Sequence, residues 1–158
     1  MIVLETARLL LRPHEPRDLD AFCAMEMDAA VRRYVGGFPR TRRESEEKFR
    51  KAGLNAIILK SEERYIGRAG LHPAAGGATG IGFYIAPAYW GRGFATEAAR
   101  AVIEYGFGTL ALSRIVAQVE TGSAASSRVL QKLGFRLVRH EAGDPRSFDH
   151  FELCADRL

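Results

Sequence analysis

The sequence predicts a single mixed α/β domain, and three observations carry this prediction. Short runs typical of β-strands alternate along the chain with amphipathic stretches of helical period. A length of 158 residues is typical of one domain with a core of its own. With 47% hydrophobic and 27% charged residues, the composition excludes disordered, collagen-like and coiled-coil chains.

The first elements of the chain have clear start and stop signals. Three consecutive leucines make residues 7–12 a strand, and a proline directly after them ends it. Apolar residues at helical spacing make residues 18–28 an amphipathic helix. Thr41 and Glu44 form a T-x-x-E capping box. A second helix is therefore expected to begin there and to end at Gly53.

The middle of the chain is predicted to contribute three strands. Residues 56–59 and 65–71 flank a polar turn, which indicates a hairpin. Residues 80–85 form the next strand, and a proline follows it. Because Gly80 and Gly82 lie inside this strand, we expect a bulge or a close approach of another group to the backbone.

The last third of the chain begins with its longest helical pattern. Small and apolar residues recur at helical spacing over residues 95–107. A β-branched strand follows at residues 114–119, and then a helix over residues 123–133 that Gly134 ends. Two final strands are expected over residues 135–138 and 148–153. The pattern thus contains about four helices and seven strands in one domain, residues 1–158.

Positive charge is concentrated in one segment. Residues 31–51 hold eight basic and three acidic residues, in a chain whose net charge is +4. Such a segment is either a solvated helix face or a docking face for an anionic partner, and both interpretations stay open. The net charge of the whole chain is too small to require nucleic acid, and the sequence contains no RNA-binding motif.

Cysteine spacing and hydropathy exclude other classes. Cys23 and Cys154 are far apart, and neither lies at metal-ligand spacing from a histidine. We therefore expect neither a structural disulfide nor a metal site. No apolar run is long enough to span a membrane, and the first residues do not form a signal peptide. The sequence predicts a cytoplasmic protein without a membrane partner.

Residues 85–97 carry the strongest chemical signal. They combine the end of a strand, a turn with two glycines and the start of a helix. Gly91 and Gly93 let the backbone approach a ligand, and the helix start presents free N–H groups and a positive dipole end. This combination indicates a phosphate site. It is neither a dinucleotide fingerprint, because Thr96 replaces the third glycine, nor a nucleoside-triphosphate loop, because Gly-Lys-Ser/Thr is absent.

The same segment resembles the motif of a known family. Residues 82–99, GFYIAPAYWGRGFATEAA, are similar to the acyl-CoA-binding motif Q/R-x-x-G-x-G/A of the GNAT superfamily of N-acetyltransferases, with Trp90 in the Gln/Arg position. Residues 4–13 and 66–71 resemble strands of the branch that includes the ribosomal-protein N-terminal acetyltransferases. Residues 123–135 resemble its N-x-x-S-x-x-V-L-x-K-L-G-F signature. The resemblance spans nearly the whole chain.

This resemblance implies a fold and a co-substrate. The GNAT fold has a mixed, mostly antiparallel sheet that splays between its fourth and fifth strands, here residues 80–85 and 114–119. Acetyl-CoA would lie in the splay, with its pyrophosphate at the helix start, and no metal is involved. Trp90 is expected to pack in the protein rather than to contact ligand. The residues implied for cofactor binding are Tyr84, Ile85, Arg92, Gly93, Phe94, Ala95, Thr96, Ser123 and Ser126.

The implied reaction is direct acetyl transfer to a primary amine of a protein N-terminus or a small molecule. It requires a neutral amine, a stabilised carbonyl oxygen and a proton for the leaving thiolate. Leu130 stands where many family members have the tyrosine that donates this proton, so Ser126 is the candidate donor. Gly80 replaces the family's glutamate, so Glu120 and His72 are the candidate bases, beside a water chain.

The acceptor and the oligomeric state are the most open parts of the prediction. In this fold the first two helices and the last hairpin select the acceptor, so Asp149 and His150 face either acceptor or solvent. The resemblance allows a homodimer. Because Ser123, Gly80 and Leu130 depart from the family pattern, the alternative function is a CoA-binding module with little or no turnover. An anionic or RNA-associated acceptor is predicted to contact Arg32, Arg33, Arg40, Arg42 and Arg43.

Overall fold

A computed structural model describes residues 2–157, which form an eight-stranded open sheet with five α-helices. The spatial order of the strands is β1-β2-β3-β4-β5-β6-β8-β7. The strands are β1 (Leu4–Glu5), β2 (Leu9–Arg12), β3 (Asn55–Leu59), β4 (Arg64–Pro73), β5 (Thr79–Ile85), β6 (Arg114–Glu120), β7 (Arg136–Glu141) and β8 (Phe148–Cys154). The helices are α1 (Leu19–Glu26), α2 (Ala29–Arg32), α3 (Arg42–Arg50), α4 (Phe94–Gly108) and α5 (Ala124–Lys132).

The sheet opens at one place. Every neighbouring pair of strands is antiparallel except β5 and β6. Strand β5 pairs with β4 along its length but meets β6 only where Gly80 lies opposite Val116. Since β5 and β6 run in the same direction, they diverge towards Ile85 and Glu120. The predicted splay is confirmed, and it lies between β5 and β6 because the short strand β1 precedes the first predicted strand.

Helix α4 packs against the central strands and forms the main core with them. Its predicted apolar stripe is confirmed, since Ala98, Ala99, Val102 and Ile103 are buried. The small alanine side chains let the helix lie close to the sheet. Each fully buried Val, Leu or Ile side chain contributes about 1.5–3 kcal/mol to the stability of the fold. The start of α4 is thereby fixed against the sheet beside the splay.

Helices α1 and α3 pack against each other through an aromatic cluster. The rings of Phe22 and Phe49 meet edge to face with centroids 5.3 Å apart, and His14 packs against both. The predicted N-cap of α3 is present, because the N–H of Glu44 donates to Thr41 Oγ1 at 3.2 Å. These contacts fix the first helices, and residues 27–41 connect α1 to α3.

The structure differs from the sequence-based expectations at several elements. Helix α3 ends at Arg50, three residues before Gly53. Helix α2 was not predicted, because four residues are too few to show a helical period. The pairing of β4 with β5 contains no bulge at Gly80 or Gly82. A close approach does occur, since a Cβ at Gly80 would lie 2.5 Å from the imidazole of His72.

The structure also describes the two cysteines and allows a search for metal-ligand clusters and membrane-spanning helices. Cys23 and Cys154 are free thiols, and burial raises the pKa of the Cys23 thiol. Residues 2–157 contain no cluster of three His, Cys, Asp or Glu side chains suited to a metal ion. Within the same range, no helix has the length and apolarity needed to cross a membrane.

Candidate active site

A cleft of about 590 Å³ opens where β5 and β6 separate. Its walls come from the end of β5, the turn before α4, the first turn of α4, one side of α5 and residues in and after α2. The volume is typical of sites for small molecules and cofactors. Eight of the nine residues predicted to bind the cofactor line this cleft: Tyr84, Ile85, Gly93, Phe94, Ala95, Thr96, Ser123 and Ser126.

The start of α4 forms one end of the cleft. Gly91 and Gly93 have φ angles of +76° and +81°, a left-handed conformation that other residues adopt only with strain. Gly93 is the N-cap of the helix. The N–H groups of Phe94, Ala95 and Thr96 therefore lie in the first turn, where they have no acceptor within the helix. Together with the helix dipole, they make this end of the cleft suited to an anion.

The end of β5 presents backbone groups to the open side of the splay. The N–H of Ala86 donates to the carbonyl of Ile66 at 2.8 Å, so residue 86 faces β4. Because alternate residues of a strand point the same way, Tyr84 also pairs with β4, whereas the N–H and C=O of Ile85 point into the splay. Ile85 thus offers its backbone N–H to a ligand, and Tyr84 lines the cleft beside it.

One expectation about the turn before α4 is wrong. Trp90 does not pack in the protein, because its side chain is 52% exposed and lines the cleft. Its indole N–H donates to the Ile85 carbonyl at 2.7 Å and so fixes the end of β5. Arg92 does not line the cleft; its guanidinium lies over the ring of Tyr89, 5.4 Å from the centroid. Cofactor binding by Arg92, through its backbone N–H or its exposed side chain, stays a prediction.

Sequence reasoning missed two cations in the cleft wall. Arg128 and Lys132 are four residues apart on α5, and both line the cleft. This spacing places two side chains on the same face of a helix, so the signal was present in the sequence. They add positive charge to a cleft that already contains the start of α4.

The candidate catalytic residues meet at a smaller cavity of about 70 Å³ beside the main cleft. Ser123 and Ser126 line both spaces, and Glu120 lines only the smaller one. Ser123 is the N-cap of α5, but its buried side chain makes no capping hydrogen bond in the described structure. Arg146 donates to Glu120 Oε2 at 3.2 Å. The structure thus brings Glu120 and Ser126 to one place.

The other polar candidates lie elsewhere. His72 lines neither space, and its ring lies over Gly80 with Nδ1 2.9 Å from the Pro73 carbonyl. Asp149 lies 2.8 Å from Nδ1 of His140, and neither Asp149 nor His150 lines the cleft. These three residues are therefore not brought to the cleft by the fold.

The basic segment does not form one free positive face. Glu26 is 1% exposed and accepts hydrogen bonds from Arg68 and Arg40, each at 2.6 Å, while Arg32 lies 3.7 Å away. Burial alone would raise the pKa of Glu26, but the guanidinium groups of Arg68, Arg40 and Arg32 outweigh it and hold the pKa below its usual value. We call these four residues the Glu26 cluster.

The remaining arginines of the predicted acceptor set differ from one another. Arg42 pairs with Asp20 and Glu46, each at 2.8 Å, and Arg43 lies 3.8 Å from Glu47. Arg33 lies over the ring of Tyr34 and lines the cleft. Of the five arginines predicted to contact an acceptor, only Arg33 is thus a lining residue of the cleft. Contact of these five arginines with an anionic acceptor stays a prediction.

Comparison with known proteins identifies the family. The sequence profile described as "Acetyltransferase (GNAT) domain" matches residues 8–136. An uncharacterized N-acetyltransferase of Bacillus licheniformis, p20, is 33% identical over 148 residues, which cover 86% of this chain and 83% of that protein. YoaA of Bacillus subtilis, also named an uncharacterized N-acetyltransferase, is 36% identical over 149 residues, 85% of this chain and 82% of that protein. The chain belongs to the GNAT family of acetyltransferases, as its motifs predicted.

Solved structures confirm the fold class. A GNAT-family acetyltransferase from Bacillus anthracis superimposes with a TM-score of 0.91 and 25% identity, covering 98% of this chain and 99% of that one. RimL, a ribosomal-protein acetyltransferase solved with coenzyme A, superimposes with a TM-score of 0.80 at 14% identity, covering 99% and 100% of the two chains. The second likeness shows the fold alone.

Proposed function

We propose that this chain transfers the acetyl group of acetyl-CoA directly to a primary amine, either a protein N-terminus or a small-molecule amine. The observation that carries the proposal is the cleft at the splay, which contains the anion-binding start of α4 and the Ser126 hydroxyl and adjoins a smaller cavity lined by the Glu120 carboxylate. Family membership supports acetyl transfer in general, and the cleft supports the co-substrate.

The residues of the cleft fit coenzyme A. The N–H groups of residues 94–96 suit a pyrophosphate, and Arg128 and Lys132 supply charge for it. Beyond Gly80 the splay side of β5 has no strand beside it, so its backbone groups suit the amides of the pantetheine arm. When bound, the thioester supplies an activated acetyl group.

In this proposal, three groups of the chain each carry out one part of the reaction. The backbone N–H of Ile85, which points into the splay, stabilises negative charge on a carbonyl oxygen. The hydroxyl of Ser126 passes to the leaving sulfur the proton that the attacking nitrogen loses as the amide forms, so the hydroxyl regains the proton it gives. Glu120, at the adjoining cavity, accepts the earlier proton that the ammonium form of the acceptor loses before it attacks. Arg146 fixes the position of the Glu120 carboxylate through its hydrogen bond to Oε2.

Release of free thiol from acetyl-CoA tests the proposal over a panel of polyamines, amino-acid amines and peptides with free N-termini. Turnover with at least one acceptor supports it. Coenzyme A binding without acceptor-dependent release across the panel supports the alternative, a CoA-binding module of the same fold. If coenzyme A does not bind, both functions are excluded.

The acceptor itself requires an unbiased experiment. Cell extract incubated with the protein and isotopically labelled acetyl-CoA, followed by mass spectrometry of labelled products, separates peptide N-termini from small amines. The proposal places these acceptors in the cytoplasm. Labelled ribosomal-protein N-termini would support an RNA-associated acceptor, whereas labelled polyamines or amino acids would exclude it as the principal substrate.

A further inference from the structure

Arg8 connects the beginning of the chain to the turn before α4. It lies between β1 and β2, and its backbone carbonyl accepts from the N–H of Lys60 at 2.9 Å. Its Nη1 donates to the carbonyl oxygen of Arg92, 84 residues later, at 3.0 Å. The guanidinium lies over the ring of Phe94, 4.3 Å from the centroid. Arg8 thus touches the turn without lining the cleft.

Glu97 fixes the Arg8 side chain in this position. Arg8 donates to Glu97 Oε2 through Nε at 2.7 Å and to Oε1 through its backbone N–H at 3.0 Å, and Thr6 Oγ1 donates to Oε1 at 2.7 Å. Burial would raise the pKa of Glu97, but the hydrogen bonds from Thr6 and Arg8 outweigh it and lower that pKa. Glu97 is therefore ionised at neutral pH and neutralises the guanidinium.

The peptide that Arg8 holds is the one that ends in the N–H of Gly93. In a trans peptide the C=O and N–H point in opposite directions. Because the Arg92 carbonyl points to Arg8, the Gly93 N–H points away from Arg8, and Gly93 itself lines the cleft. Gly93 has no side chain that could fix this orientation. A glycine can also adopt several backbone conformations other than the left-handed one found here.

We infer that Arg8 is a positioning residue that orients the Gly93 N–H towards the pyrophosphate of coenzyme A by holding the Arg92 carbonyl; the inference rests on the proposed function. Arginine suits this task because its planar fork donates to Glu97 through one edge and to the carbonyl through a separate nitrogen. The single ammonium of a lysine at this position stays beside Glu97 and leaves the carbonyl without a donor.

Two ligands separate this role from a general structural one. Coenzyme A carries the pyrophosphate, and pantetheine has the same thiol arm without it. Binding of each is followed by the fluorescence of Trp90, the one tryptophan of the chain, which lines the cleft. The variants are Arg8→Ala and Arg8→Lys. Arg50→Ala is the matched control, because Arg50 is an exposed arginine of α3 away from the cleft.

Both Arg8 variants are expected to bind coenzyme A about tenfold more weakly, the loss typical of a hydrogen bond made by a charged donor. Their affinity for pantetheine stays within about twofold of wild type, and Arg50→Ala changes neither affinity. Full coenzyme A affinity in Arg8→Lys, or equal losses for both ligands, overturns the inference. If Arg8→Ala does not fold, Arg8→Lys alone decides. If the wild-type chain binds no coenzyme A, the proposed function falls and the inference falls with it.

Discussion

The two sides of the cleft are held in place by different kinds of interaction. The side proposed to bind the cofactor, called here the cofactor side, consists of backbone groups of β5 and of the start of α4, held in place by glycine conformation and strand pairing. The opposite side, residues 27–41, is fixed by side-chain ion pairs in the Glu26 cluster. Backbone geometry follows from local sequence. An ion pair between residues 26 and 68 follows only from the complete fold.

The largest effect is expected on the free energy of unfolding, because the opposite side of the cleft depends on a single carboxylate, that of Glu26. Glu26→Gln leaves Arg68, Arg32 and Arg40 around a neutral group, two of them buried. Loss of one partner of a buried ion pair costs about 3–5 kcal/mol of the free energy of unfolding. Urea denaturation measures this loss of stability. The control Glu47→Gln removes an exposed carboxylate 3.8 Å from Arg43 and should cost less than about 0.5 kcal/mol.

The pH dependence of stability provides a second test of the same carboxylate. Since the pKa of Glu26 is lowered by folding, its ionisation stabilises the protein above the unfolded-state pKa of about 4.3. That stability is lost as the pH falls through the lower folded-state pKa. The difference in unfolding free energy between wild type and Glu26→Gln should be constant above about pH 5 and should shrink below about pH 4. A difference that stays unchanged down to pH 3 would contradict it.

The next effect concerns the backbone on the cofactor side. Gly93→Val and Gly77→Val place a branched side chain at φ angles of +81° and +77°, and neither Cβ meets another atom within 3.5 Å. Both should lose about 1–3 kcal/mol of stability through backbone strain. Only Gly93→Val should also bind coenzyme A at least about tenfold more weakly, by Trp90 fluorescence. Equal coenzyme A affinities of the two variants would show that the turn before α4 does not take part in phosphate binding.

The contrast between the two sides also explains what the sequence could predict. The turn and the start of α4 were predictable because Gly91, Gly93 and the helix that follows encode their geometry within a few residues. The role of Trp90 was not, since its position depends on which carbonyls of β5 remain unpaired. The ion pairs of the basic segment were not predictable, because Glu26, Asp20 and Arg68 lie outside it in sequence. Counting charge along a segment gives no information on partners that only the fold brings near.

A smaller effect, on kcat, is expected at Ser126. Ser126→Ala should lower kcat about tenfold if its hydroxyl protonates the leaving sulfur, with little change in the KM for acetyl-CoA. Ser127→Ala is the matched control, because Ser127 is the next residue on α5 and does not line the cleft. Steady-state kinetics with the best acceptor of the panel measure both variants. Unchanged kcat in Ser126→Ala would assign the proton to another donor.

The smallest effect tests whether any charge of residues 31–51 acts on the acceptor. Arg33 and Arg43 are both exposed, but Arg33 lines the cleft and Arg43, 91% exposed, does not. Arg33→Glu should raise the KM of a carboxylate-bearing acceptor about threefold relative to its amide analogue, and added salt should reduce this ratio. Arg43→Glu should leave the ratio unchanged. Equal effects of both reversals would mean that the segment acts by its summed charge, so that position in the cleft is not what selects the acceptor.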